Sequence, residues 1–562
     1  LWRRSPRASL RVPAPFAARW GGLGAAFAYA VFSGWGVPSQ RTIWMLATVT
    51  VLQTLGVRWP WPLVLLLAAV VVTVGDPWAL LQAGFWLSFA AVGLLMASSP
   101  VRPGASAGAG HVEPALPGWR TVPHRLVGAA REGLRAQWVA TLGLAPLSLV
   151  FFQQISIVGF VANLIAIPAI TLVITPLALL GVALVPLWAV GAWAIGLLNA
   201  ALGWLAGWPG AVWTAPSAPF WAQMGALLGA ALLMLPLPWR ARLLGLPLLL
   251  ALVLPPGTRP APGAFELVAV DIGQGTAVLV RTRTHLLVFD AGPQYSRDSD
   301  AGQRVLLPLL RSRGETRVDR LVLSHRDTDH VGGARSLLEA LPVDELLSSL
   351  EAEHPLLALA ASSSNGRTST TTTRCVAGQA WDWDGVHFEL LWPPDDAYAR
   401  TWKSNAMSCV LRVSASATGG DGSGRSALLT GDIERDQEAQ LLLRVPEALR
   451  SEVLIVPHHG SRTSSTAAFL DAVRPRVAVF QAGYRNRFGH PAPDVLERYR
   501  ERGIRRVASP ACGAWRWLAN GRADDPSDGP DGVCLRDAER RYWQHHVDAD
   551  DEREGPRDNT LR

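Results

Sequence analysis

The densest chemistry in this chain lies in Ser324-His325-Arg326-Asp327-Thr328-Asp329-His330, which runs on into Val331-Gly332-Gly333. Two imidazoles and two carboxylates share one turn, after the apolar segment Arg320–Leu323. That density suits divalent metal, because each ion needs several nitrogen or oxygen donors converging from one side. Gly332 and Gly333 let a following helix begin close to the site. Three more polar clusters end apolar segments: Asp290-Ala291-Gly292, Leu429-Thr430-Gly431-Asp432 and Ile455-Val456-Pro457-His458-His459-Gly460-Ser461. Any one of them suits a turn or a cap. Together they point to a shared site at one edge of the sheets.

The elements that position these groups begin at Phe265. Short apolar segments alternate there with amphipathic ones, the pattern of a layered α/β domain. Strands are predicted at Phe265–Ile272, Ala277–Val280, His285–Phe289, Arg320–Leu323, Val386–Trp392, Ser408–Val413, Ala427–Thr430, Val453–Val456 and Val477–Phe480. Helices are predicted at Val305–Ser312, Glu434–Leu443, Ser465–Ala472 and Pro493–Arg500. The Ser/Thr-rich stretch Ala360–Thr373 reads as a loop, and the charged tail 521–562 as disordered.

The first half is of another kind. Charged residues make up 17% of the 562, against about 25% in soluble proteins. From Ala136 to Trp239 there is no Asp, Glu, Lys, Arg or His, and from Trp59 to Val101 only Asp76. A charge-free stretch of that length belongs in a bilayer, where each pass takes about 20 apolar residues. Candidate spans are 23–38, 42–57, 60–75, 78–98, 138–153, 157–180, 184–207, 219–239 and 242–256. The arm 1–20 is basic, as is the loop holding Arg102, Arg120, Arg125, Arg131 and Arg135. Placing both in the cytoplasm leaves everything after Pro255 outside. Gln40, Arg41, Asp76, Gln82, Gln153, Gln154 and Asn163 interrupt the apolar blocks. Such residues face a bundle interior or an aqueous path, or bond helix to helix. Pro168, Pro176 and Pro186 suggest broken helices.

The net charge of +7 is weak evidence for an anionic partner, since part of it is topogenic. Cys375, Cys409, Cys512 and Cys534 form no CxxC pair, so a structural zinc site is not expected. One or two disulfides, or four free thiols, remain open. The chain opens on Leu1 rather than Met, which suggests an N-terminal truncation. No P-loop is visible, so any ATPase is a separate protein.

The order of Asp290, the His325–His330 turn, Asp432 and His458-His459-Gly460-Ser461 resembles the metallo-β-lactamase fold. That resemblance implies an αββα sandwich with two metal ions. His325 and Asp327 match ligands of the first metal, and Asp329 and His330 ligands of the second. Asp432 matches the bridging carboxylate, His458 or His459 the final histidine, and Asp290 the buried carboxylate that organises the loops. Two departures stand out. Asp327 replaces a usual histidine, and no third-motif histidine is evident, since His354 and His387 lie in that interval in unpromising contexts. The first metal position is therefore expected to be weak, or to prefer Mn²⁺ over Zn²⁺.

Further motifs narrow the resemblance. Val270-Asp271-Ile272-Gly273-Gln274-Gly275 opens the domain, Lys403-Ser404-Asn405 precedes a strand, and Phe488-Gly489-His490-Pro491 follows. Upstream stand Pro38-Ser39-Gln40-Arg41, the run from Asp76 to Phe89, and Ala162-Asn163 through Pro168. Together these resemble the ComEC family of competence DNA-uptake channels, over about Gly21 to Gly513. Thr276 departs from the Asp usual after Gly-Gln-Gly. The resemblance also implies an N-terminal membrane segment and an OB-like domain, and their absence from these residues is consistent with the expected truncation.

The resemblance implies a channel domain at 21–257, with Gln40, Arg41, Asp76, Gln82 and Asn163 along the path, and a metal domain at 262–520. It implies passage of one DNA strand through a bacterial inner membrane, with other competence proteins including an ATPase or helicase. The metal domain is then periplasmic and degrades the strand that does not enter. Two metals suit that phosphodiester chemistry. Asp329 and Asp432 are its expected catalytic groups, with His490 as general acid or phosphate contact, or as a capped turn before Pro491. Asp271, Asp290 and Asn405 are expected to support them. Arginines early in the domain, from Arg281 to Arg326, suit phosphates or a solvated face. Two other readings stand beside this one: a channel whose metal domain binds or gates without catalysis, and a membrane-tethered hydrolase of a small ester or phosphodiester.

Overall fold

The computed structural model describes residues 6–98, 118–208, 210–235, 237–253, 259–362, 370–400, 402–415, 425–519 and 531–541. The chain divides into two compact units, Leu1–Pro256 and Gly257–Arg562.

The first unit is helical. Its long helices are Ala14–Phe32, Val37–Thr54, Trp61–Gly75, Ala83–Ser98, Gly118–Phe152, Pro186–Ala206 and Phe220–Met234. Residues 14–20 of the expected basic arm thus begin a helix. Arg131–Phe152, Gly159–Leu180 and Pro186–Ala206 are each long and apolar enough to cross a membrane. Leu172, Trp193 and Leu197 on them are exposed, a surface suited to lipid rather than water. This unit is a membrane domain.

Two predicted spans differ in detail. The span 78–98 opens as a 3-10 turn, Pro77–Leu81, before the helix Ala83–Ser98. Asp76 caps that turn by accepting from the Trp78 amide at 3.1 Å. The span 242–256 divides into two short helices, Trp239–Leu243 and Gly245–Val253. Pro168, inside its helix, is followed by a π-helical stretch, Ile170–Ile174, as expected where a residue without an N–H breaks the ladder. Gln154–Ser156 pairs antiparallel with Val212–Thr214, which satisfies backbone that no helix satisfies there. Gly229 and Gly245 let two helices touch, since a Cβ on Gly229 would lie 2.6 Å from the Gly245 carbonyl.

Among the described residues, the second unit holds fifteen strands in two large sheets, beside a small antiparallel pair, Gln294–Ser296 with Ser299–Asp300. The fifteen are β1 (Phe265–Ala269), β2 (Val278–Arg281), β3 (Leu286–Phe289), β4 (Val318–Leu323), β5 (Val343–Ser348), β6 (Thr371–Arg374), β7 (Ala380–Trp383) and β8 (Val386–Trp392). There follow β9 (Val410–Ala415), β10 (Ser426–Leu429), β11 (Val453–Ile455), β12 (Val477–Phe480), β13 (Arg505–Ala508), β14 (Trp515–Ala519) and β15 (Val533–Cys534). One sheet runs β6-β5-β4-β3-β2-β1-β14-β15 and the other β7-β8-β9-β10-β11-β12-β13. β3, β4, β5 and β6 pair parallel, as do β10 to β13.

Strand alternation divides the core. Phe265, Leu267, Val278 and Phe289 meet Phe388, Leu411, Leu429 and Ile455 between the sheets. Val268, Leu279, Val288 and Leu321 face helices on one outer side, and Leu428, Leu454 and Phe480 face helices on the other. This is an αββα sandwich whose strands are buried on both faces, hence the near-continuous apolar runs.

The cysteines form two disulfides, Cys375–Cys409 and Cys512–Cys534. The second closes on a segment read from sequence as disordered tail. Residues 531–541 instead carry β15 and the short helix Leu535–Ala538; the rest of the tail lies outside the described residues. Residues 363–369 of the Ala360–Thr373 stretch do too, whereas Ala360 and Ala361 end the helix Pro355–Ala361 and Thr371–Thr373 belong to β6 rather than to a loop.

Candidate metal centre

The polar clusters sit just past the C-terminal ends of parallel strands from both sheets. Asp290 follows β3, His325 and Asp327 follow β4, Asp432 follows β10, and His458 and His459 follow β11. Asp329 and His330 lie on the short helix Thr328–Val331. Asp290, His458 and His459 have φ of 58°, 51° and 54°, a conformation uncommon outside glycine. Sharp turns there aim the side chains back over the strand ends.

His330 is fully buried. Its Nδ1 is 2.7 Å from Asp290 Oδ2, which fixes Nε2 as the group facing Asp432 Oδ1 at 3.1 Å. His459 repeats the arrangement: Nδ1 donates to the Gln481 carbonyl at 2.8 Å, and Nε2 lies 3.4 Å from Asp329 and 3.5 Å from Asp432. His458 is partly exposed, with Nδ1 3.3 Å from Glu434 and Nε2 3.8 Å from Asp432. His325 Nε2 lies 3.6 Å from the more exposed Asp327.

Burial opposes the charged form of His330, but Asp432 and Asp290 outweigh it and hold its pKa well above the ordinary imidazole value. Burial likewise opposes ionised Asp432, and His330 with His459 drives it well below the carboxylate range. Asp329 is lowered against burial by His459 and His330. His490 moves the other way, down to about 4, through burial and the neighbouring His458 and His459.

His325 Nε2, His330 Nε2, His459 Nε2 and Asp432 Oδ1 are buried without a hydrogen bond. Each such atom costs about 1–3 kcal/mol. Divalent cations would satisfy them, so the donor set fits metal. Two groups have ligand atoms close enough together to hold one: His325, His330 and Asp432; and Asp329, His330 and His459.

Residues outside the expected set build the surroundings. Ser408 is fully buried; its Oγ accepts from the Asp432 amide at 3.0 Å and lies 3.3 Å from His325 Nδ1. Ser324 Oγ lies 3.0 Å from the same Nδ1 and donates to Asp290 at 2.7 Å. A serine opening an apolar strand was the signal available for Ser408. Asn405 itself gives only its carbonyl to the Ser408 amide, so Ser408 rather than Asn405 touches the centre. Asp271 also lies apart, paired with Arg536 at 3.0 Å. His354 caps the helix Pro355–Ala361 and His387 pairs with Asp382; neither reaches the site.

The Gly-Gln-Gly turn braces the centre through backbone. The Thr276 amide donates to the Asp329 carbonyl at 3.1 Å, and a Cβ on Gly275 would lie 2.3 Å from that oxygen. This contact uses only the backbone of Thr276, whatever its side chain. We expect Asp290→Asn to weaken metal binding about 10–100-fold, because the tautomer of His330 is no longer fixed. Titration of the full chain against a competing chelator measures this.

Of the early arginines, Arg281, Arg313, Arg317, Arg320 and Arg326 are held in ion pairs with Glu266, Glu315, Asp319, Glu345 and Glu351. Most of that set therefore serves the fold rather than a phosphate backbone.

In the membrane domain the structure joins three of the singled-out residues. Buried Arg41 donates to Gln82 Oε1 at 2.7 Å, and Gln82 donates to Asp76 at 3.4 Å. Gln40 donates to the Trp35 carbonyl nearby in sequence. Asn163, on the helix Gly159–Ala169, is exposed and outside this network.

Residues 2–240 match the family model for the competence protein, and 270–390 that of the metallo-beta-lactamase superfamily. The competence protein ComA of Neisseria gonorrhoeae is 33% identical over 518 residues, which cover 91% of this chain and 66% of that protein. The chain belongs to the competence protein family. Recombination protein 2 of Haemophilus influenzae is 29% identical, over 84% of this chain and 60% of that protein. An uncharacterized Escherichia coli protein, YcaI, is 30% identical, over 87% of this chain and 60% of its own length. The chain thus spans about three-fifths to two-thirds of the length of these relatives.

Proposed function

We propose that this chain takes up single-stranded DNA across a bacterial inner membrane in transformation, and that its metal domain hydrolyses phosphodiesters of the strand left outside. The observation that carries the reading is the convergence of four buried donor atoms without hydrogen bonds in a chain that also bears a competence membrane domain. The two disulfides support a periplasmic place for the metal domain, since such bonds persist in oxidising compartments. DNA is the proposed substrate. Membrane lipid and other competence proteins, a separate ATPase or helicase among them, are the proposed partners.

Two divalent ions, manganese or zinc, are the proposed cofactors. The single Nε2 of His330 serves one ion only. Asp329, His330, His459 and Asp432 would hold the better-made position, while His325, Asp327 and the shared Asp432 would hold the poorer. Metal bound there supplies Lewis-acid stabilisation of the charge that develops on a phosphodiester in the transition state. Asp290 and the Gln481 carbonyl keep both imidazoles oriented. His458, tied to Glu434, stands at the more open side. His490 is neutral at pH 7 and a poor proton donor at that pH, so we assign it to contact with the phosphate.

The test is cleavage of single- and double-stranded DNA by the full chain in detergent with Mn²⁺, Mg²⁺ or Zn²⁺. We expect metal-dependent cleavage that a chelator abolishes and added metal restores. The exposure of Asp327 and the lack of a third-motif histidine at the centre among the described residues favour a second reading, a metal fold that binds or gates without cleaving. Folded, metal-loaded protein with no cleavage would select it.

A further inference from the structure

The loop Gly483–His490 places aromatic rings at the edge of the candidate centre. Five large hydrophobic residues are exposed among the described residues of the second unit, and two of them, Tyr484 and Phe488, lie here at 54% and 52% exposure. The Arg485 guanidinium sits 5.2 Å from the Tyr484 ring centre, and that of Arg487 sits 4.8 Å from Phe488. Phe488 lies nearly parallel to His490, with ring centres 5.9 Å apart, and His490 is 5.7 Å from His458. A line of rings therefore runs from solvent to the donor cluster.

The loop is built to hold this shape. Asn486 points inward: its Nδ2 donates to the Gly483 carbonyl at 3.0 Å and to the His490 carbonyl. Its Oδ1 accepts from the amides of Phe488 and His490, each at 3.1 Å. The Gly483 amide donates to Gln274 Oε1 at 3.1 Å, which ties the loop to the turn bracing Asp329. Unlike Arg281 or Arg320, Arg485 and Arg487 make no ion pair among the described residues.

We propose that residues 484–488 form a stacking platform for unpaired bases, with Arg485 and Arg487 meeting the phosphates, that guides a single DNA strand to the metal centre. Exposed rings interleaved with guanidinium groups suit unpaired bases, because every base offers a π-face, whereas a duplex keeps its bases stacked on one another. The proposal rests on the reading that the substrate is DNA. It adds strand preference and direction of approach to that reading.

The experiment uses the full chain in nanodiscs with a chelator present, so that nothing is cleaved. A short single-stranded oligonucleotide carrying 5-iodouracil is cross-linked by light and the attachment mapped by mass spectrometry. We expect cross-links at Tyr484 or Phe488. Tyr484→Ala with Phe488→Ala should weaken single-strand binding by about 10-fold or more, and tryptophan at both positions should restore it. Cross-links mapping only elsewhere, with unchanged affinity in the double alanine variant, overturn the platform. So does a duplex bound as tightly as the single strand with loss only in Arg485→Ala and Arg487→Ala, which marks a phosphate contact alone. Failure of the two readings is separable. Cross-links at the loop without metal-dependent cleavage remove the nuclease and keep the platform; cleavage without those cross-links does the reverse.

Discussion

His330→Ala lowers metal-dependent DNA cleavage by the full chain about 10³-fold or more. The argument starts from the position of the ring. Its Nε2 belongs to both candidate donor groups and can serve only one ion, so the variant loses a ligand of the better-made position. Loss of a residue that only orients a ligand costs about 10–100-fold, and loss of the donor itself should exceed that. The same change leaves Asp290 and Asp432 buried without their partner, and breaking a buried charge pair costs about 3–5 kcal/mol. The variant should therefore also melt at lower temperature, followed by tryptophan fluorescence. His330→Gln, which keeps polar volume, separates the effects: we expect partial recovery of stability with none of cleavage. Cleavage within tenfold of the parent in either variant would remove His330 from the centre.

Arg41→Met lowers uptake of labelled DNA by cells about 100-fold at equal amounts of protein in the membrane. Arg41 is a buried guanidinium of the membrane domain, linked through Gln82 to Asp76, and leaves its Nε without a hydrogen bond. Gly84 makes room for it: a Cβ there would lie 2.8 Å from Arg41 Nη1. A site shaped around a planar fork accepts lysine poorly, so Arg41→Lys should recover less than half of the lost uptake. Normal uptake by the methionine variant would reduce the trio to a helix-packing device.

Much of this was legible in the sequence because the signals were local. Paired imidazoles and carboxylates next to apolar strands announce themselves, and the charge-free first half leaves few alternatives to lipid. The strands that went unread explain the remainder. β5 carries Asp344 and Glu345 in its Val343–Ser348 run, and β6 is Thr371–Arg374, so neither shows the apolar run of a buried strand. β5 gains its place from parallel pairing with β4, and β6 from parallel pairing with β5, contacts distant in sequence. Ser408 was passed over for Asn405 for a related reason. A three-residue offset decides which side chain faces His325, and only the bend into β9 sets that offset. The Arg41–Gln82–Asp76 trio joins residues up to 41 apart, and spacing alone did not tell that Asn163 stands outside it.

Cys409 directly follows Ser408 and is locked to Cys375, so the segment that steadies His325 and Asp432 is fastened by a bond that reducing conditions disfavour. Under the periplasmic placement, newly made chains meet the cytoplasm before that fastening exists. The metal centre would thus ripen only after leaving the compartment that holds the chromosome. A protein equipped to cut DNA would be harmless to its maker for as long as it remained within reach of the genome.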